Sequence, residues 1–265
     1  MGCLTRARLT RGPRRIVCLT EEPTEILYAL GEQDRIVGIS AYTERPPEAK
    51  ANKPVVSAFI GGSVDKICAL EPDLVIGFSD IQAKLAAELI AANQQVLIFN
   101  QRSLEQILDV ILQLGLIVDA GDRARELLSG YSAGLEAAAD RASKRSVRPR
   151  VYFEEWDDPT ISGIQWVSEL IELTGARDVF ADRAAGKLAK ERFVSTAEVL
   201  EADPEVLLAS WCGKPFDEAA TRVRLAGVRA IDDGRMHELP PEIILQPGPA
   251  CLTDGLAAVE RAIWG

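Results

Sequence analysis

The sequence is poor in the residue types from which most catalytic and metal sites are built. It has one histidine, His237, in the polar segment RMHEL, which we interpret as a satisfied or solvated side chain. No GxSxG, HExxH, P-loop or GxGxxG motif occurs. A dedicated zinc or manganese carrier is excluded because such sites combine several imidazoles with carboxylates. These absences predict a protein that is not an enzyme and has no resident metal or cofactor.

Positive charge is also scarce, since 30 Lys and Arg residues face 40 Asp and Glu residues, for a formal net charge of −10. A nucleic-acid partner is therefore excluded, because a phosphate backbone requires a basic face. One basic cluster stands in residues 1–15, which we interpret as a flexible tail; its members are Arg6, Arg8, Arg11, Arg14 and Arg15. No apolar run approaches the roughly 20 residues that cross a bilayer.

The five cysteines form no CxxC pair and lie in apolar segments such as IVCL and KICAL. Buried structural thiols are the ordinary interpretation, and an odd number fits a reducing compartment at least as well as an exported one. No apolar segment of signal-peptide length precedes Ile16, which favours the cytoplasm.

Two halves of the chain have the same order of elements. The first reads as strand RIVCL, polar loop TEEPT, helix EILYALG and strand RIVGIS, and the second as strand RVYFEEW, turn DDPTISG, helix WVSELIELTG and strand ARDVF. A sharper repeat pairs Ser63 to Phe78 with Ser195 to Trp211, each with a serine N-cap, a helix, an acidic-Pro turn and an apolar strand. This pattern predicts an α/β protein with two Rossmann-like lobes, each built on a central parallel sheet.

A segment without proline from Arg123 to about Arg145 predicts one helix of about 23 residues, roughly 35 Å long, that joins the lobes. The predicted organisation is a tail in residues 1–15, an N-terminal lobe in 16–102, a helical linker in 103–146 and a C-terminal lobe in 147–265.

Aromatic and amide side chains recur directly after the predicted strands, where open parallel sheets bind ligands. We predict that they form a crevice between the lobes that clamps a flat or bulky ligand. The alternative for each is a core position where sheet meets loop. The predicted ligand-binding residues are Tyr42, Phe59, Phe78 and Ser79 in the first half, and Trp156, Gln165, Trp166, Trp211 and Gln246 in the second.

Four carboxylates surround Trp156, namely Glu154, Glu155, Asp157 and Asp158. They are interpreted as a solvated acidic loop, as hydrogen-bonding partners of a ligand, or as an acid/base pair. An enzyme would have only this loop and Cys212, in SWCGKPF, as working groups, and no histidine stands nearby in sequence.

Taken in order, the segments RIVCLTEEPTEILYALG, RIVGISAYTERPP, SVDKICALEPDLVIGF and VSTAEVLEADPEVLLAS resemble the substrate-binding proteins of cobalamin and ferric-siderophore ABC transporters. The resemblance is closest to the cobalamin-binding branch, because Tyr42 falls where that branch has a ligand-contacting tyrosine, and Phe59 and Phe78 fall where it commonly has tryptophans. It implies a monomer that captures a corrinoid-like small molecule such as cobalamin and delivers it to a permease. It also implies docking through one acidic residue on each lobe, at Asp65 and, one residue displaced, at Glu198.

Three alternatives stay open. A ferric-siderophore or haem binder on the same fold would use the cations Arg102, Arg192 and Lys214. A cytosolic corrinoid or metabolite binder would work without a permease. The compartment itself is left open, since the resemblance implies the periplasm.

Overall fold

Strands and helices alternate along the computed structural model of the chain, which describes residues 12–58 and 60–265. Phe59 and the tail residues Arg6, Arg8 and Arg11 therefore lie outside the described residues. The chain divides into two units. The first reaches to Gln101 and includes Glu105–Gly130, and the second comprises Arg102–Leu104 and Tyr131–Gly265.

The first unit is built on a five-stranded sheet with the strand order β3-β2-β1-β4-β5, in which every pairing is parallel. The strands are β1 (Ile16–Cys18), β2 (Ile36–Ser40), β3 (Val55–Ser57), β4 (Leu74–Phe78) and β5 (Val96–Phe99). The helices that alternate with them are α1 (Glu21–Ala29), α2 (Pro47–Asn52), α3 (Val64–Ala69) and α4 (Ala83–Ala91). β1 is central and wholly buried, as expected of a strand that helices cover on both sides.

The predicted helical segment consists of α5 (Leu104–Ile117) and α6 (Gly121–Ser143). α6 has 23 residues and begins two residues before the predicted helix. The two units divide within it, after Gly130. Gly130 and Gly134 lie one helical turn apart, and a Cβ added at either would meet nothing within 4 Å.

The second unit has a sheet with the order β10-β9-β6-β7, and β8 also pairs with β6. The strands are β6 (Arg150–Asp157), β7 (Thr160–Ser162), β8 (Arg177–Asp178), β9 (Val206–Ala209) and β10 (Met236–Glu238). The helices are α7 (Gln165–Leu173), α8 (Ala181–Ala184), α9 (Thr196–Ala202), α10 (Glu218–Arg224), α11 (Arg229–Asp232), α12 (Pro241–Ile244) and α13 (Leu256–Trp264). The pairing is parallel except for β7, which forms an antiparallel hairpin with β6.

The predicted fold class is confirmed, and so is the repeat within it. Ser63 and Ser195 are the N-caps of α3 and α9, and each side chain accepts a hydrogen bond from the backbone N–H three residues on. The turns that follow each contain a left-handed residue before proline, Glu71 (φ 46°) and Asp203 (φ 39°). The two residues are 132 positions apart, the same offset as the two serines.

Four local predictions were wrong, the first of them the turn DDPTISG, in which Thr160–Ser162 form β7. The segment TEEPT, predicted as a loop, contains Thr20 as the N-cap and then the first turn of α1, because Pro23 fits the first helical turn, where its missing N–H costs nothing. Gln246 was predicted to follow a strand, but the segment before it, EIIL, lies largely in α12, since Pro240 and Pro241 start a helix there. ARDVF contributes only the two-residue strand β8.

No helix in the described part of the chain combines the length and the apolar character that a membrane span requires.

Candidate functional site

The order of the first sheet reverses direction between β1 and β4, so the carboxyl ends of these two strands define its ligand crevice. Glu21 and Glu22 follow β1 there, and Ser79 follows β4. Gln82 ties the two strand ends together, because its Oε1 accepts from Phe78 N–H at 3.0 Å and its Nε2 donates to Leu19 O at 3.3 Å.

Glu21 and Glu22 are both buried. Burial raises the pKa of Glu22 to about 8, and the neighbouring Glu21 carboxyl adds to the rise. Burial likewise raises the pKa of Glu21 to about 6. Among the described residues neither carboxyl forms an ion pair with a lysine or arginine, and Glu22 accepts a hydrogen bond from Thr20 Oγ1 at 2.9 Å. At neutral pH this pair therefore carries at least one proton.

Ser79 has a backbone conformation that is almost confined to glycine, with φ 59° and ψ 175°. A non-glycine residue is strained there by roughly 1–3 kcal/mol, and such strain clusters at ligand sites. Its hydroxyl accepts from Ile81 N–H at 3.4 Å, and its own N–H donates to Phe99 O at 2.7 Å. The predicted site residue Ser79 thus lies at the switch point of the sheet.

The other predicted residues of this unit differ in exposure. Tyr42 follows β2 and is 43% exposed, so its ring is accessible. Phe78 is the last residue of β4 and is 6% exposed, which also suits a core position. Phe59 lies outside the described residues, and its role stays a prediction.

In the second unit β6 lies between β8 and β9, so the strand order reverses direction around its carboxyl end. Tyr152 and Glu154 share one face of β6 and are both fully buried. Arg224 on α10 reaches Glu154, and its Nη2 donates to both carboxylate oxygens at 2.7 and 2.6 Å. Tyr152 donates its hydroxyl hydrogen to Glu154 Oε2 at 3.0 Å. Burial raises the pKa of Glu154, and the hydrogen bonds from Arg224 act in the opposite direction.

The next carboxylates along β6 are paired as well. Arg192 donates to both oxygens of Glu155, at 2.5 and 2.9 Å, and is itself buried. Lys214 Nζ lies 2.5 Å from Asp157 Oδ1. The interpretation as a solvated acidic loop was therefore wrong for these three residues, because cations 37 to 70 positions further along the chain compensate them. Only Asp158, in the turn after β6, is exposed.

Two tryptophans lie at the carboxyl ends of β6 and β9, Trp156 as the penultimate residue of β6 and Trp211 two residues after β9. Trp211 is 3% exposed, and its ring packs edge-on against Phe216 with centroids 4.9 Å apart. Its Nε1–H is buried and has no hydrogen-bond acceptor among the described residues. Trp156 donates from Nε1 to Asp158 O at 3.1 Å. The structure thus brings together two of the predicted site residues, and Trp211 retains an unused donor.

Trp166, Gln165 and Gln246 have different surroundings. Trp166 lies within α7, is 2% exposed and donates to Ile244 O at 2.8 Å, which gives it a place in the core of the second unit. Gln165 begins α7 and donates to Glu169. Gln246 follows α12, not a strand as predicted, and its buried Oε1 has no donor among the described residues. Their ligand roles stay predictions.

The two predicted docking carboxylates are unequal. Asp65 lies exposed in the first turn of α3. Glu198 forms a capping box with Ser195, whose N–H and hydroxyl both donate to its Oε2 at 2.7 Å, while Arg183 pairs with its Oε1. These contacts lower the pKa of Glu198 to about 2. Its carboxylate therefore already has partners within its own unit.

Sequence reasoning missed Arg224 and did not connect Arg192 or Lys214 with the carboxylates of β6. No sequence signal pairs residues so far apart. Cys212 follows β9 and is exposed, and His237 lies in β10 at the edge of the sheet. No cluster of three or more histidine, cysteine or acidic side chains in the described ranges could hold a metal ion.

The chain belongs to the periplasmic binding protein family, whose model matches residues 16–243. Its relatives include a vitamin B12-binding protein of Vibrio parahaemolyticus serotype O3:K6, 29% identical over 199 residues that cover 74% of this chain and 70% of the relative.

Among solved structures, the chain is similar to the periplasmic heme-binding protein RhuT from Roseiflexus sp. RS-1 in its apo form, with 27% identity, a TM-score of 0.75 and coverage of 95% and 99%. The fold also matches the periplasmic vitamin B12 binding protein BtuF of Vibrio cholerae, with 23% identity, a TM-score of 0.76 and coverage of 95% and 97%.

Proposed function

We propose that this chain binds a corrinoid such as cobalamin and delivers it to an ABC transporter permease. The observation that carries the proposal is the pair of tryptophans, Trp156 and Trp211, at the switch point of the second unit, because indole faces suit a large and largely apolar macrocycle. The buried donor of Trp211 would meet the amide groups on the corrin rim. The relatives named vitamin B12-binding proteins support the same ligand.

The test is a titration of the purified chain with cyanocobalamin, followed by tryptophan fluorescence and calorimetry. We expect quenching and saturable binding in the wild type, and at least a tenfold weaker affinity, about 1.4 kcal/mol, in Trp156→Ala and Trp211→Ala. Trp264→Phe is the matched control, since Trp264 lies on α13 beneath Arg145. The absence of binding to any corrinoid would exclude the proposed ligand.

A haem or ferric-siderophore ligand is the second candidate, favoured by the similarity to a heme-binding protein at 27% identity. Of the cations predicted for it, Arg192 and Lys214 are both paired with carboxylates, but the Arg192 side chain is only 4% exposed and that of Lys214 is 38% exposed, so Lys214 is the better contact for an anionic ligand. Haemin and ferrichrome titrated beside cyanocobalamin distinguish the two. Saturation by haemin alone would replace the corrinoid.

We further propose that the chain acts as a monomer, docks through Asp65, and releases its ligand chemically unchanged. Asp65 is favoured over Glu198 because the carboxylate of Glu198 is bound by Arg183 and Ser195. Light scattering tests the oligomeric state, and chromatography of the recovered ligand tests for turnover. Binding of Asp65→Asn to permease-containing vesicles tests the docking contact.

A further inference from the structure

Lys214 contacts Trp156 and Trp211 at once. Its Nζ lies 4.3 Å from the ring centroid of Trp156 and 4.6 Å from that of Trp211, within the roughly 6 Å reach of a cation–π contact. Asp157 completes the surroundings of the ammonium at 2.5 Å. One cation thus covers the two indoles that the proposed function requires.

The loop between β9 and α10 directs Lys214 to this position. Gly213 has φ +83°, a left-handed conformation that L side chains rarely adopt, and it reverses the chain after Cys212. Phe216 then packs against Trp211, and its N–H donates to Glu238 at 3.2 Å. The loop is therefore anchored by Phe216, two residues after Lys214, while Asp157 and the two rings hold the ammonium itself.

A ligand that stacks on these indoles must displace the ammonium. The displaced ammonium would lose Asp157 and two ring faces, and it would be left with water alone unless the ligand offers an anion. A ligand that carries an anionic group beside its flat face supplies one, whereas a neutral ligand does not. Displacement is therefore easier for the anionic ligand.

We propose that Lys214 is a specificity-determining residue, which covers the tryptophans in the ligand-free chain and admits ligands that offer an anion such as a phosphodiester or carboxylate. This proposal rests on the proposed function, and it names the ligand feature that the site selects. Lys214 exchanges partners on binding, from Asp157 and the indoles to the anion of the ligand.

Cyanocobalamin and dicyanocobinamide test the proposal, because they share the corrin ring and only the former carries the nucleotide phosphodiester. We expect the wild type to prefer cyanocobalamin. Lys214→Met should bind cyanocobalamin about tenfold more weakly and cobinamide several-fold more tightly, which removes the preference. Lys214→Arg should restore part of it. Lys144→Met, at the exposed end of α6, is the control that should change neither affinity.

An equal loss of affinity for both corrinoids in Lys214→Met would show a merely structural role and overturn the proposal, as would unchanged affinities. If the wild type binds neither corrinoid, the proposed function fails and the anion preference fails with it. Acrylamide quenching of tryptophan fluorescence in the ligand-free protein tests the contact between Lys214 and the indoles independently of corrinoid binding. Lys214→Ala should be quenched more strongly than the wild type, and equal quenching would show that Lys214 does not cover the indoles.

Discussion

Glu22 of the first unit and Asp157 of the second occupy equivalent positions, but among the described residues only Asp157 is paired with a cation. Ile16 pairs with Leu74 and Val151 with Val206, and the repeat offset of 132 relates Leu74 to Val206. By this register, Glu21 and Glu22 of the first unit correspond to Trp156 and Asp157 of the second. The first pair is buried without a cation among the described residues, whereas each acid of β6 up to Asp157 has one.

The difference shows that the protonation state of an acidic residue at a strand end cannot be read from the sequence. In the second unit Glu154, Glu155 and Asp157 are each paired with a guanidinium or ammonium group. In the first unit no cation neutralises the two carboxyls among the described residues. Desolvation raises the pKa values of both instead, which favours their protonated forms. The first strand end can therefore change its charge near neutral pH.

The largest effect on the free energy of unfolding is expected where a buried carboxylate loses its cationic partner. Arg224→Met would leave Glu154, which is fully buried, without its cation, and should lower the free energy of unfolding by about 4 kcal/mol in urea denaturation at pH 7. Glu154→Gln combined with Arg224→Met should recover part of this loss. Arg222→Met, which breaks the exposed pair with Glu218, should cost about 0.5 kcal/mol. Equal costs for the two arginines would show that buried Glu154 needs its cation no more than an exposed carboxylate does, and the second unit would then no longer contrast with the first.

A smaller effect, opposite in sign, is expected in the first unit. The pKa of Glu22 is raised in the folded chain to about 8, above its unfolded value of 4.5, so the folded state retains a proton that the unfolded state loses. Stability is therefore full below about pH 4.5 and falls as the pH rises towards 8. Glu22→Gln should increase the free energy of unfolding by about 3 kcal/mol at pH 8.5 and by little at pH 5.

Exposed Glu48→Gln on α2 is the control for this pH dependence and should show the same difference from the wild type at both values. A stability gain in Glu22→Gln that is independent of pH would mean that Glu22 is ionised in the folded chain, and the contrast between the units would then be lost.

The smallest effect concerns the repeated helix starts. Ser195 belongs to a capping box with Glu198, whereas Ser63 caps α3 through one hydrogen bond at 3.3 Å. Ser195→Ala should therefore cost about 1.5 kcal/mol and Ser63→Ala about 0.5 kcal/mol. Thermal unfolding of the two variants measures the difference. A larger cost at Ser63 would contradict the assignment of the capping box.

The sequence predicted those features that depend on local pattern. Apolar strands, serine N-caps and the long helix were recognisable because each leaves its signal within a few neighbouring residues. The positions of Trp156 and Trp211 at strand ends followed from the same pattern. The partners of the β6 carboxylates did not, because Arg192, Lys214 and Arg224 approach them only through the tertiary fold. The burial of Glu21 and Glu22 was missed because a polar segment normally indicates solvent exposure, and only the tertiary fold buries these two side chains.

Two of the three glycines of α6, Gly130 and Gly134, lie in its interior and have a mechanical consequence. Each weakens a helix by about 1 kcal/mol relative to alanine, and neither is required by packing. They stand at Gly130 and Gly134, beside the position where the chain passes from one unit to the other. We therefore expect α6 to bend most easily between Gly130 and Gly134. A force applied to its ends would bend the helix at these residues and leave its outer turns straight.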